Sequence, residues 1–110
     1  MTKESEVEKW LDKLYLREFE DVQSQNLSGG TKRRLSVAIS VIGGSKLILL
    51  DEPSSGMDLT SKYKLWDILK ELKKERVIIL TTHYMDEADY LGDRIAIMGE
   101  GKIRCCGSNL

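Results

Sequence analysis

The sequence predicts an α/β fold, a parallel sheet with flanking helices, and three observations support that expectation. Leu47-Ile48-Leu49-Leu50 and Val77-Ile78-Ile79-Leu80 are short, unbroken apolar runs, as strands buried on both faces of a parallel sheet require. Between them, Leu59 to about Glu75 places Leu65, Trp66, Ile68, Leu69 and Leu72 on one wide face, the pattern of an amphipathic helix. Both runs end in residues able to do chemistry, Asp51-Glu52 and Thr81-Thr82-His83. Strand, helix, strand at this spacing is a βαβ unit, with parallel strands and a right-handed crossover. The two C-terminal strand ends then share one rim of the sheet, where open α/β sheets place their ligands.

The other elements follow in order. From Ser5 to about Glu20, Val7, Trp10, Leu11 and Leu14 repeat at helical spacing, and Ser5 with Glu8 fits a capping box. Asp21–Asn26 is polar and loop-like. Leu27-Ser28-Gly29-Gly30-Thr31 leads into a helix to Ile42, with Leu35, Ala38, Ile39 and Ile42 on one face. Two glycines allow close backbone approach, the first turn offers free N–H groups, and Lys32, Arg33 and Arg34 add charge, a combination suited to phosphate. For Ser-Gly-Gly alone, an ordinary capped helix with a solvated basic turn is the favoured reading. Gly43-Gly44 ends this helix by allowing positive φ. Pro53 stops the first strand, and Ser54-Ser55-Gly56 turns the chain. Met85–Leu91 reads as a short helix with acids at its start. Arg94–Met98 and Ile103–Cys106 read as strands joined by a tight turn over Gly99–Lys102.

Composition narrows the function classes. The chain has 110 residues, enough for one small domain. Its 18 acidic and 17 basic residues leave a formal net charge of -1, which gives no reason to expect nucleic acid as a partner. Cys105 and Cys106 are adjacent, a spacing that rarely closes a disulfide. They are too few for a zinc site and are expected to be small packing residues in a reduced, intracellular setting. No apolar run approaches the roughly 18 residues of a membrane span, and Met1–Glu6 lacks the apolar core of a secretory signal.

Each motif is weak alone, but their order and spacing are specific. LSGGTKRRLS, LILLDEP, SSGMD and TTH together resemble the ATPase domain of ABC transporters. Leu27-Ser28-Gly29-Gly30 looks like the family's signature motif, and Leu47–Glu52 like its Walker B strand. Ser55–Asp58 looks like the D-loop and His83 like the switch histidine. The tail from His83 onward most resembles the A subfamily, whose members mostly move lipids. The resemblance implies a P-loop NTPase (RecA-like) sheet represented by its C-terminal half, without the P-loop strand. Residues 1–45 would be the end of the helical subdomain with the signature motif and following helix. Residues 46–110 would be the C-terminal part of the ATPase core.

The same resemblance implies roles. Asp51 would hold Mg²⁺, and Glu52 would orient and polarise the water that attacks ATP. His83 would contact the γ-phosphate. Leu27, Ser28, Gly29 and Gly30 would close over ATP held by a second ATPase domain in a head-to-tail dimer, and Asp58 would link the two sites. Transmembrane transporter domains, absent from these residues, would place the chain at the cytoplasmic face of a membrane.

Two departures matter. Leu59 stands where the family often has proline. More importantly, no G-x-x-x-x-G-K-[ST] occurs: Gly30-Thr31-Lys32, Gly44-Ser45-Lys46 and Gly101-Lys102-Ile103 all fail the pattern. The family's Q-loop and base-stacking aromatic are missing too. In the family the P-loop strand lies between those of His83 and Arg94–Met98, so the expected sheet has a central gap, and the chain alone is expected to be inactive. The alternative is a non-catalytic module that completes a composite ATP site on a partner. A chromosome-maintenance ATPase head also carries LSGG, but the chain lacks that class's sustained heptads.

Overall fold

The computed structural model describes residues 2–109. Helix α1 spans Lys3–Lys13, α2 Gly29–Val41, α3 Leu59–Leu72 and α4 Met85–Leu91. Strands are β1 Leu47–Asp51, β2 Val77–Thr81, β3 Arg94–Gly99 and β4 Lys102–Ser108. As expected, β1 and β2 pair in parallel, with Leu47 opposite Val77 and Asp51 opposite Thr81. β3 and β4 form an antiparallel hairpin with an irregularity at Ile97/Met98. The two pairs are separate two-stranded sheets, and β2 and β3 do not pair with each other, where the sequence predicts a gap.

Helix α1 is shorter than expected. Thr2, not Ser5, is its cap, accepting from the Ser5 N–H at 3.1 Å while the Ser5 hydroxyl donates to the Thr2 carbonyl at 3.0 Å. Serine thus reaches back to the cap residue as a donor to its carbonyl, not as the acceptor of its N–H that a capping box asks of Glu8. The helix stops before Tyr15, whose φ is +57°. Residues two apart point to different sides of a helix, and breaking here lets Leu14 and Leu16 both enter the core. Two short 3₁₀ turns, Arg17–Phe19 and Ser24–Asn26, lead on to α2.

The buried stripe of α2 is rotated by one position from the expected one. Thr31, Arg34, Val37 and Val41 are buried, whereas Ile39 is 67% exposed. Apolarity alone misplaced it, because Thr31 and Arg34 are bonded to each other inside, Arg34 Nη2 donating to Thr31 Oγ1 at 3.3 Å, although Arg34 Nε is buried without a partner. Helix α3 buries Leu65, Trp66, Ile68, Leu69 and Leu72 as expected. These join Trp10, Leu14, Leu16, Val41 and Ile48 in one core between the helices and the β1–β2 sheet.

That sheet is buried on one face only. Ile48 is buried, but Leu47 and Leu49 on β1 and Val77 and Ile79 on β2 are exposed. An unbroken apolar strand therefore does not mean two covered faces in this chain: the core packs on the side of Ile48, Leu50, Ile78 and Leu80. Cys105 and Cys106 lie on β4 as expected but are exposed rather than packed. Among the described residues no helix is long and apolar enough to cross a membrane.

Candidate functional site

The parallel register places Asp51 beside Thr81, and the Thr81 hydroxyl donates to Asp51 Oδ1. At the next residue the chain leaves the sheet sharply. Glu52 has φ +49°, an uncommon conformation for a residue with a long side chain. Its N–H donates to the Thr81 carbonyl at 3.0 Å and lies 3.1 Å from the Thr81 hydroxyl, which fix the turn. From there Glu52 Oε2 reaches His83 Nδ1 at 2.9 Å. The His83 side chain is 62% exposed and that of Glu52 36%, so the pair faces solvent. The strand ends thus bring together Asp51, Glu52 and His83, three residues singled out in the sequence.

Ser28 caps α2, its Oγ accepting from the Thr31 N–H at 3.2 Å. Leu27 precedes it half-buried, and Gly29 is exposed. A side chain at Gly29 would meet nothing within 4 Å. Gly30 differs: a Cβ there would stand 2.9 Å from Ser61 Oγ on α3. The basic turn is less free than its sequence suggests. Arg34 is buried, and Arg33 Nη1 donates to the Glu52 carbonyl at 3.2 Å, leaving Lys32 as the exposed cation of the three. Asp58 is the N-cap residue of α3 without a cap hydrogen bond. The nearby Ser61 hydroxyl nevertheless holds its carboxyl below the usual range, helped by neighbouring backbone N–H groups. Ser28, Gly29 and Gly30 make no hydrogen bond to Asp51, Glu52 or His83 among the described residues; Arg33 is the link.

No group of three or more metal-binding side chains occurs among the described residues. Mg²⁺ does not need one, since it commonly binds through one or two carboxylates, phosphates and water. The exposed Asp51 carboxylate suits that donor set.

Known proteins with the same sequence pattern decide the family. The ABC transporter family model matches residues 2–55. The phospholipid-transporting ATPase ABCA3 of Mus musculus is 53% identical over 105 residues, 96% of this chain and 6% of that protein. The chain belongs to the ABC transporter family. ABC transporter A family member 2 of Arabidopsis thaliana is 53% identical over 106 residues, covering 96% of this chain and 11% of that protein. The ABC chain thus spans a small part of the curated relatives it matches. In structure it resembles MJ1267, an ATP-binding cassette of an ABC transporter, with a TM-score of 0.81 and 26% identity over 91% of this chain and 40% of that one. A dimeric ATP-binding cassette, MJ0796 bound to ADP and Pi, shares the fold at a TM-score of 0.85 and 23% identity, over 100% and 50% of the two chains.

Several residues that shape this ABC-family site were not given those roles from sequence. Thr81 holds both Asp51 and the Glu52 turn, and Arg33 ties α2 to the β1 exit. The register of the βαβ unit identifies Thr81 as the partner of Asp51, but no one-dimensional signal marks Arg33. Gly30 yields a prediction of its own. Gly30→Ala should destabilise the chain by about 1–3 kcal/mol, the usual range for overpacking, because Ser61 must move aside. Gly29→Ala should have a much smaller effect. Paired thermal melts check this, and equal melting points for the two variants would contradict the assigned packing.

Proposed function

We propose that this chain forms the signature and Walker B part of an ABC ATPase domain that binds and hydrolyses ATP to drive transport across a membrane, with lipid as the cargo. The observation that favours it most is the Glu52–His83 pair at the ends of adjacent parallel strands, with Asp51 alongside. The names of the relatives support the finer reading, since ABCA3 is called a phospholipid-transporting ATPase.

In this reading Asp51 holds Mg²⁺, which when bound would neutralise charge on the phosphates. Glu52 Oε2 is engaged by His83, so Oε1 is the atom that orients and polarises the attacking water. With His83 Nδ1 facing Glu52, Nε2 is left for the γ-phosphate. For Nδ1 and Nε2 both to donate, the imidazole must carry its second proton. Leu27, Ser28, Gly29 and Gly30 close over ATP bound by a second ATPase domain, the dimeric MJ0796 structure with ADP and Pi offering a precedent for such a partner. Asp58, at the start of α3, communicates between the sites. Transmembrane domains couple the assembly to transport at the cytoplasmic face.

The test begins with the 110-residue chain itself, which contains no G-x-x-x-x-G-K-[ST] to cradle phosphates and supply a lysine. Purified with Mg²⁺ and ATP, it should release no phosphate above background. Joined to a P-loop-bearing segment, it should turn over. Steady turnover by the chain alone that vanishes in Glu52→Gln would overturn this division of labour.

A further inference from the structure

Glu87 on α4 is fully buried, at 0% exposure. Its Oε2 accepts from the Ser54 hydroxyl and, at 2.7 Å, from the Trp66 indole N–H, while Oε1 is buried without a hydrogen-bond partner. Among the described residues no lysine or arginine forms an ion pair with it. Lys62, stacked over Trp66 and Tyr84, lies 3.9 Å from Asp86 instead. A buried carboxylate held by neutral donors, with one oxygen unsatisfied, is costly. Apolar packing of the same volume is often at least as stable as a buried charge. Stability alone is therefore a poor reason for this residue.

Its three attachments suggest a better one. Ser54 lies two residues beyond Glu52 on the β1 exit loop, Trp66 lies on the helix that Asp58 begins, and Glu87 itself lies four residues beyond His83. One carboxylate thus joins the segments bearing Glu52, Asp58 and His83. The Glu52–His83 contact bridges two of those segments at the surface, and Glu87 bridges the same two from beneath. We infer that Glu87 is a positioning residue that holds His83 against Glu52. It rests on the proposed site only in taking that pair to be the working element. Glutamine can replace it geometrically, its amide oxygen taking the place of Oε2 and accepting from both the Trp66 N–H and the Ser54 hydroxyl. Alanine can accept from neither.

His83 is the only histidine in the chain, so the ring ¹⁵N and ¹H signals of histidine-labelled protein report it alone. Glu52→Ala first gives the signal displacement produced when His83 loses its partner. Glu87→Ala should move the His83 signals most of the way to that displaced position, and Glu87→Gln should leave them near those of the unmodified chain. Ser54→Ala, a smaller lesion, should move them part of the way and serves if Glu87→Ala does not fold. A Glu87→Ala or Ser54→Ala chain that melts cooperatively yet keeps unshifted His83 signals would overturn the inference. The spectrum requires no ATP turnover, so a failure of the hydrolytic reading shows up separately, in the phosphate-release assay.

Discussion

Glu52→Gln, in an ATPase domain that joins this chain to a P-loop segment, is expected to lose nearly all hydrolysis while still binding ATP. Glutamine keeps the length of the side chain and can still bond His83 Nδ1, so the turn at φ +49° and its bonds to Thr81 remain. What disappears is the negative charge on the oxygen left for the water. Positioned general bases contribute about 10²–10⁴-fold, and a loss of that size in phosphate release is the expected readout. Asp51 is untouched and remains bonded to Thr81, so ATP affinity measured with Mg²⁺ should hold. Turnover within a few-fold of the unmodified domain would remove Glu52 from the proposed role.

Gly29→Asp should have an effect of comparable size, exerted on a different subunit. The position is open, with no neighbouring group within 4 Å of the place a Cβ would take, and its side chain would stand in the first turn of α2. An aspartate in a helix first turn suits the dipole, so the fold should survive. A carboxylate facing a γ-phosphate, however, repels it. Ser28→Arg is a less clean probe, because Ser28 caps the helix and losing a cap costs about 0.5–2 kcal/mol. In a mixed dimer of P-loop-bearing domains with Gly29→Asp in one half, the partner's site should bind ATP but fail to hydrolyse it. If turnover were lost instead at the mutated half's own nucleotide, the assignment of Leu27–Gly30 to an opposing site would fail.

Much of this architecture was legible in the chain, and the failures share a cause. The βαβ unit could be read because two apolar runs and one amphipathic helix have unambiguous periods, and their register then predicted that Asp51 and His83 would share a rim. The α2 face was misread because Thr31 and Arg34 look solvent-seeking one at a time, yet they are buried as a hydrogen-bonded set with Ser28. The two-sided burial of β1 was misread because apolarity records what a strand can bury, not what this chain supplies to cover it. Arg33 and Glu87 escaped because their partners lie 19, 21 and 33 residues away, and only folding brings them close.

The separation of the two sheets has a consequence for how the molecule opens. The β3–β4 hairpin exchanges no ladder hydrogen bonds with β1–β2. It is fastened instead near its base, where the Asn109 N–H donates to the Asp93 carbonyl and the Asn109 amide to the carbonyls of Asp89 and Gly92. A unit attached in this way can unfasten without disturbing the core, and such units exchange their amides independently. In native-state hydrogen exchange, the ladder amides of β3 and β4 should open with little dependence on denaturant. Those of β1 and β2, locked under α3, should exchange only with the whole domain. A single opening free energy across all four strands would show that the hairpin and the core form one cooperative unit.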